Sequence, residues 1–113
     1  DPGSLKTVFR KLKEGKKVII FPEGTRSIDG SLLPGEPGVG MLIAKANVPV
    51  LPVRIIGAHQ AMPRDKKFPQ PARITIAFGK PWIYNPTEFA GKGKDLYQGI
   101  SDEVMRRIGE LHD

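Results

Sequence analysis

The residues with the clearest chemical potential lie in one short turn of the chain. In order, they are Phe21, Pro22, Glu23, Gly24, Thr25, Arg26 and Ser27. The guanidinium of Arg26 is a rigid fork of donors that suits a phosphate or a carboxylate. Thr25 and Ser27 add hydroxyl groups, and Gly24 permits a sharp backbone turn or a close approach to a ligand. These residue types favour binding of an anionic ligand, although a simple surface pairing of Glu23 with Arg26 is the alternative.

A short strand is predicted to position this turn. The apolar, β-branched run before it predicts a strand over Lys17–Phe21. In open α/β sheets, ligands bind beyond the carboxyl ends of the strands. The spacing therefore places the polar side chains of the turn where such a fold holds its ligand.

The remaining patterns predict alternating helices and strands. The predicted helices are Leu5–Glu14 (capped by Ser4), a helix beginning at Pro37 and ending at Asn47, and Lys94–Leu111; the further predicted strands are Val50–Ile56 and Arg73–Phe78. Helices between strands favour an α/β fold with a mostly parallel sheet and flanking helices. With 113 residues, the chain is expected to form a single domain, 1–113.

Composition narrows the partners of this domain. The chain has no cysteine, which excludes a disulfide framework and a cysteine-based metal site, and no metal site is predicted. It has no apolar run long enough to cross a bilayer and no start typical of a signal peptide. The net charge of +6 favours an anionic partner such as a phospholipid headgroup, a phosphorylated substrate or an acidic carrier protein. Few aromatic residues and no nucleic-acid-binding motif argue against nucleic acid.

The string Phe21–Ser27 resembles the third motif of the glycerolipid acyltransferases, typified by 1-acylglycerol-3-phosphate acyltransferase. Similarity continues through Asp29–Gly30 and Leu33–Pro34 to the proline-bearing string Val48–Val53, which resembles the fourth motif of the family. The similarity to this family covers roughly residues 5–80. The third motif is specific, whereas strings of Val and Pro are common.

The resemblance implies transfer of an acyl group from a thioester, acyl-CoA or acyl-carrier protein, to the hydroxyl of lysophosphatidic acid or a related glycerol phosphate, with phosphatidic acid as product and no cofactor. It also implies a catalytic His and Asp upstream of the third motif. Neither His59 nor His112 fits that pattern, since both follow the motif. We therefore expect the C-terminal portion of an acyltransferase domain, its upstream part missing. The implied location is the cytoplasmic face of a membrane, peripheral or anchored through that part.

Within this resemblance, Glu23, Gly24, Thr25, Arg26 and Ser27 are expected to hold the acceptor. Arg26 is expected to grip its phosphate, while Glu23 binds a hydroxyl or holds the rotamer of Arg26.

Two further segments have open interpretations. One segment is Leu51, Pro52 and Val53, which either line an acyl path or pack as a buried strand. Next to it, Arg54 is unusual on an apolar strand, and it either reaches the ligand or pairs with a carboxylate. The glycine-rich helix start 35–40 receives an anion or allows close packing; many relatives carry an aromatic residue and lysines where Gly35–Pro37 stand here.

Two other classes of protein remain open at this stage. One is a non-catalytic basic module that binds lipid or nucleic acid. The other is a non-catalytic relative in which the upstream His is replaced.

Overall fold

The computed structural model of the protein describes residues 2–24, 31–61, 68 and 71–112. The elements, in chain order, are helix α1 (Pro2–Lys13), helix α2 (Pro37–Ala46), strand β1 (Val53–Ile56), the one-turn helix α3 (Ala58–Ala61), strand β2 (Thr75–Phe78), a 3₁₀ turn (Pro86–Glu88) and helix α4 (Gly93–Gly109). Within the described ranges, no helix combines the length and the apolar character that crossing a membrane requires.

The three long helices occur close to where their apolar periodicity predicts them. Helix α1 begins at Pro2, ahead of the predicted cap Ser4, and ends one residue before the predicted Glu14. Helix α2 begins at Pro37, because a proline suits the first turn of a helix, where its missing N–H has no partner to lose. It ends at Asn47, which adopts the left-handed conformation at φ 51°.

The core forms where α4 packs on α2 and on the segment after β2. Its buried side chains are those of Ile43, Trp82, Tyr84, Ile100, Val104 and Ile108. The α4 members recur every four residues, so they share the helix face that the sequence predicts to be apolar. The last helix therefore covers the core, and Trp82 packs within it.

The sheet differs from the prediction. Strands β1 and β2 pair antiparallel, with Ile55 opposite Ile76, and an isolated antiparallel bridge joins Val50 to Trp82. No parallel pair occurs among the described residues, so the predicted mostly parallel sheet is not confirmed. In the described part of the segment between β1 and β2 (57–61, 68 and 71–74), the single turn α3 is the one helix, whereas a parallel connection usually contains a longer crossover helix.

The apolar segment Lys17–Phe21 is not a strand in this structure, so that prediction is wrong for the described chain. Ile19 is 87% exposed and Phe21 is 68% exposed. A strand forms only when another strand accepts its backbone hydrogen bonds, and no described residue pairs with this segment.

One face of the two-stranded sheet is apolar and open to solvent. Its exposed residues, called here the outer sheet face, are Ile55, Ile74, Ile76 and Phe78. The opposite face carries Arg54, whose guanidinium nitrogen Nη1 donates to the carbonyls of Gly109 and Leu111, both at 3.0 Å. Arg54 thus stabilises the negative end of α4. Among the described residues, the partners of this guanidinium are backbone carbonyls and no carboxylate pairs with it, so the predicted ion pair is not observed there.

We expect the isolated 113-residue chain to self-associate through the outer sheet face, because apolar patches on strand surfaces promote association. Replacing Ile76 and Phe78 with lysine should lower the sedimentation coefficient at high protein concentration. The matched control is Ala72→Lys, which adds the same type of charge at an exposed position just before β2. Equal sedimentation of the wild-type chain and the double variant would contradict this expectation.

Candidate functional site

The predicted ligand turn is described only in its first half. The N–H of Gly24 donates to the carbonyl of Phe21 at 3.1 Å, which closes a tight turn. Gly24 has φ +74°, a conformation that disfavours any residue with a Cβ atom. Thr25, Arg26 and Ser27 lie outside the described residues, so the structure gives no contact for them.

Two hydrogen bonds connect this turn to the chain that enters α2. The carboxylate oxygen Oε2 of Glu23 accepts from the N–H of Leu33 at 2.7 Å. The carbonyl of Pro22 accepts from the N–H of Glu36 at 2.8 Å. Glu23 and Leu33 are therefore held together, although the segment that carries Arg26 separates them in sequence. We call these two bonds the neck of the turn.

The partner of Glu23 is one that the sequence does not reveal. We expected this carboxylate to bind a hydroxyl of the ligand or to hold the rotamer of Arg26. In the structure the half-buried carboxylate holds a backbone N–H ten residues further along the chain. An ionised carboxylate is a strong acceptor for such a donor, so this bond contributes more than a neutral one would.

Glu36 lies directly beside the turn. A Cβ atom added to Gly24 would come within 3.3 Å of the Glu36 Cγ atom and 3.7 Å of its Oε1 atom. The backbone of Glu36 is fixed on both sides, since its N–H donates to Pro22 and its carbonyl accepts from the Ser101 hydroxyl at 2.5 Å. The exposed carboxylate of Glu36 is thus held next to the motif.

Ser101 anchors the start of α2 on α4. Its fully buried hydroxyl donates to the carbonyl of Glu36 and accepts from the N–H of Gly40 at 2.9 Å. One turn earlier on α4, the side-chain amide of Gln98 donates to the carbonyl of Gly35 at 2.8 Å. The sequence offered a signal for this anchor, because Ser101 is a polar residue beside the apolar stripe of α4, where a hydroxyl needs partners.

The glycines at the start of α2 serve close packing. A Cβ atom on Gly40 would lie 1.9 Å from the carbonyl oxygen of Tyr97, and one on Gly38 would lie 2.9 Å from Leu5 of α1. The N–H of Gly40 is bonded to Ser101, and the carboxylate of Glu36 stands at the same helix end. Of the two interpretations, close packing is therefore favoured over reception of an anion.

The residues proposed for an acyl path are divided between the two sides of the sheet. Pro52 is buried and its Cβ atom lies close to Gly79, which fits packing. Leu51 is 50% exposed and Val53 is half-buried. The hydrogen bonds described for the Phe21–Gly24 turn run to Leu33 and Glu36, and none runs to these three residues.

A second polar cluster lies on α4, far along the chain from the motif. Arg107 stacks over the ring of Trp82, with its Cζ atom 4.8 Å from the ring centroid, beside an open pocket of about 290 Å³. The Glu103 carboxylate accepts from both Arg106 and Arg107. The bond from Arg106, aided by Arg107, holds the pKa of Glu103 below its ordinary value, although partial burial opposes this shift. Both guanidinium groups are engaged within the helix, so the cluster is structural.

Comparisons with known proteins identify several that are similar to this chain. The family model described as Acyltransferase matches residues 1–56. The chloroplastic 1-acyl-sn-glycerol-3-phosphate acyltransferase of Brassica napus is 44% identical over 115 residues, covering 97% of this chain. The enzyme of the same name from Limnanthes douglasii is 35% identical over 93% of this chain. The crystal structure of the 1-acyl-sn-glycerophosphate acyltransferase PlsC from Thermotoga maritima matches 94% of the chain at 33% identity with a TM-score of 0.73.

These matches show that the chain is similar over most of its length to glycerolipid acyltransferases and that it shares the fold of part of PlsC. The chain belongs to the PlsC-like glycerolipid acyltransferase family. It spans 30% of the Brassica napus protein, 37% of the Limnanthes douglasii protein and 43% of the Thermotoga maritima chain. The alternative of a non-catalytic basic binding module is not favoured by any of these matches.

Proposed function

We propose that this chain is the acceptor-binding portion of a 1-acylglycerol-3-phosphate acyltransferase. The reaction is the attack of the free hydroxyl of lysophosphatidic acid on an acyl thioester. An ester C–O bond forms, the C–S bond breaks, and the hydroxyl proton leaves with the departing thiol. The observation that carries the proposal is the Phe21–Ser27 motif, which begins in a turn tied to the start of α2, in a chain similar to enzymes named for this reaction.

Arg26 is proposed to bind the phosphate of the acceptor. A guanidinium forms two parallel charge-assisted hydrogen bonds with phosphate oxygens, which fixes both position and orientation. The neck supports this role, because it holds the two ends of the segment that carries Arg26. Thr25 and Ser27 are proposed to add hydroxyl contacts to the same headgroup.

No catalytic base is assigned to this chain. His59 lies on the short helix α3 and His112 follows α4, and both come after the motif in sequence. Residues 1–113 are proposed to form the C-terminal portion of an acyltransferase domain. They match 43% of the Thermotoga maritima chain, which is the extent expected of a portion and not of a whole enzyme. The acyl donor is proposed to be acyl-CoA or acyl-carrier protein, and the site of action the cytoplasmic face of a membrane, with anionic lipid attracted by the net charge of +6.

The test is Arg26→Ala in the full-length protein. Loss of a charge-assisted contact costs about 1.5–3 kcal/mol, so kcat/KM for lysophosphatidic acid should fall about tenfold or more. The KM for the acyl donor should change little, because Arg26 is assigned to the acceptor alone. Arg26→Lys keeps the positive charge but lacks the bidentate geometry of the guanidinium. Its kcat/KM for lysophosphatidic acid should lie between the values of the wild type and of Arg26→Ala.

Arg10→Ala is the matched control, since it removes the same charge from the exposed surface of α1. It should leave acceptor kinetics unchanged. Wild-type acceptor kinetics in Arg26→Ala would remove Arg26 from the site and leave the proposed function without its binding residue.

A further inference from the structure

We propose that Glu23 is a positioning residue: its carboxylate ties the ligand turn to Leu33 and does not contact the acceptor. Glu23 belongs to the motif, yet its observed partner is a backbone N–H at 2.7 Å that comes from the chain just before α2. A carboxylate that accepts this bond has one oxygen committed before any ligand arrives. The residue therefore acts on the site through the backbone.

The hydrogen bond between Glu23 and Leu33 does not act alone, because the chain that follows Leu33 is itself held in place. Leu33 is followed within three residues by Glu36, whose backbone bonds to Pro22 on one side and to the buried Ser101 on the other. The turn is thus connected through the neck to α2, and through Ser101 to α4. Of the two described bonds from the turn to the chain before α2, a side chain at position 23 that could not accept a hydrogen bond would leave the one between Pro22 and Glu36.

Two substitutions distinguish this positioning role from a direct electrostatic effect of the Glu23 carboxylate on Arg26. Glu23→Gln keeps a side-chain oxygen that can accept from Leu33 and removes the negative charge, whereas Glu23→Ala removes both. If Glu23 positions the turn, the glutamine variant of the full-length protein should retain kcat/KM for lysophosphatidic acid to within about threefold. The alanine variant should lose about tenfold, the size expected for one lost charge-assisted hydrogen bond. Equal losses in the two variants would overturn the proposal.

Limited trypsin digestion without substrates separates positioning from contact with a ligand hydroxyl. Arg26 provides the single tryptic bond between residues 24 and 33, so cleavage after Arg26 reports on how firmly the ends of this segment are held. Cleavage there should accelerate several-fold in Glu23→Ala and stay near the wild-type rate in Glu23→Gln. Cleavage after Lys92, an exposed residue just before α4, is the internal reference and should not change.

The digestion also distinguishes a local change in the turn from global destabilisation of the protein. Acceleration at both bonds in Glu23→Ala would indicate global destabilisation, and would overturn a local positioning role. An unchanged rate at Arg26 combined with a raised KM would assign Glu23 to the ligand itself, which also overturns it. The kinetic test rests on the proposed function, but the digestion does not. Faster cleavage after Arg26 in Glu23→Ala, in a protein without acyltransferase activity, would refute the proposed function and still support the Glu23–Leu33 hydrogen bond.

Discussion

Gly40→Ala should lower the free energy of unfolding by about 3 kcal/mol or more, because it adds a methyl group where two helices cross without any gap. The new Cβ atom would lie 1.9 Å from the Tyr97 carbonyl oxygen and 2.7 Å from its carbon. The obstacle is backbone, so no side-chain rotation relieves it. Helices α2 and α4 must separate, and the Ser101 bond to the N–H of Gly40 lengthens with them.

Gly99→Ala is the matched control, since Gly99 lies inside α4 with no atom within 4 Å of an added Cβ. There the substitution should stabilise by up to about 1 kcal/mol, because alanine has the higher helix propensity. Urea unfolding of the full-length variants, followed by circular dichroism, measures both. Similar midpoints for the two variants would contradict the close crossing of α2 and α4.

The Gly40 substitution should also weaken acceptor binding. Separation of α2 from α4 moves Glu36, which is bonded to both Ser101 and Pro22, and so it shifts the neck of the ligand turn. The KM for lysophosphatidic acid should rise in Gly40→Ala at temperatures where the variant is still folded. It should remain at the wild-type value in Gly99→Ala.

Ile100→Ala should cost about 2–5 kcal/mol of stability, the range for removing a large aliphatic side chain from a core. Ile100 is 0% exposed and lies in the cluster with Ile43, Trp82 and Val104. It also directly precedes Ser101, so a cavity at this position loosens the anchor of α2. The loss is therefore expected at the large end of the range if α4 cannot shift to fill the space.

Ile100→Val provides the graded control for this prediction. It removes one methylene group and should cost about 0.5–1.5 kcal/mol. The midpoints of urea unfolding should follow the order wild type, valine, alanine. Equal midpoints for all three would mean that Ile100 does not support the core.

The helices and the motif were predictable because each depends on neighbours along the chain. The four-residue recurrence of apolar residues in α4, the proline that begins α2 and the αL asparagine that ends it are all local signals. The resemblance of Phe21–Ser27 to an acyltransferase motif is likewise a property of seven consecutive residues. It led to the family that the comparisons then established.

The pairing of strands and the partners of polar groups were not predictable, because they depend on residues distant in sequence. The apolar run Lys17–Phe21 shows that a strand tendency does not specify a partner strand. Likewise, the patterns of β1 and β2 did not reveal that these strands pair antiparallel. Arg54 was correctly singled out as unusual, yet its carbonyl partners lie 55 and 57 residues away.

By itself, then, the sequence determined the acyltransferase motif, the three long helices and the apolar face that α4 buries. Only the tertiary structure decided that Glu23 binds the N–H of Leu33, that Gly40 touches the backbone of Tyr97 and that Ser101 connects α2 to α4. Short-range order follows from backbone periodicity and capping chemistry, which are written in adjacent residues. A hydrogen bond across ten or sixty residues exists only once packing has brought its two groups within about 3 Å.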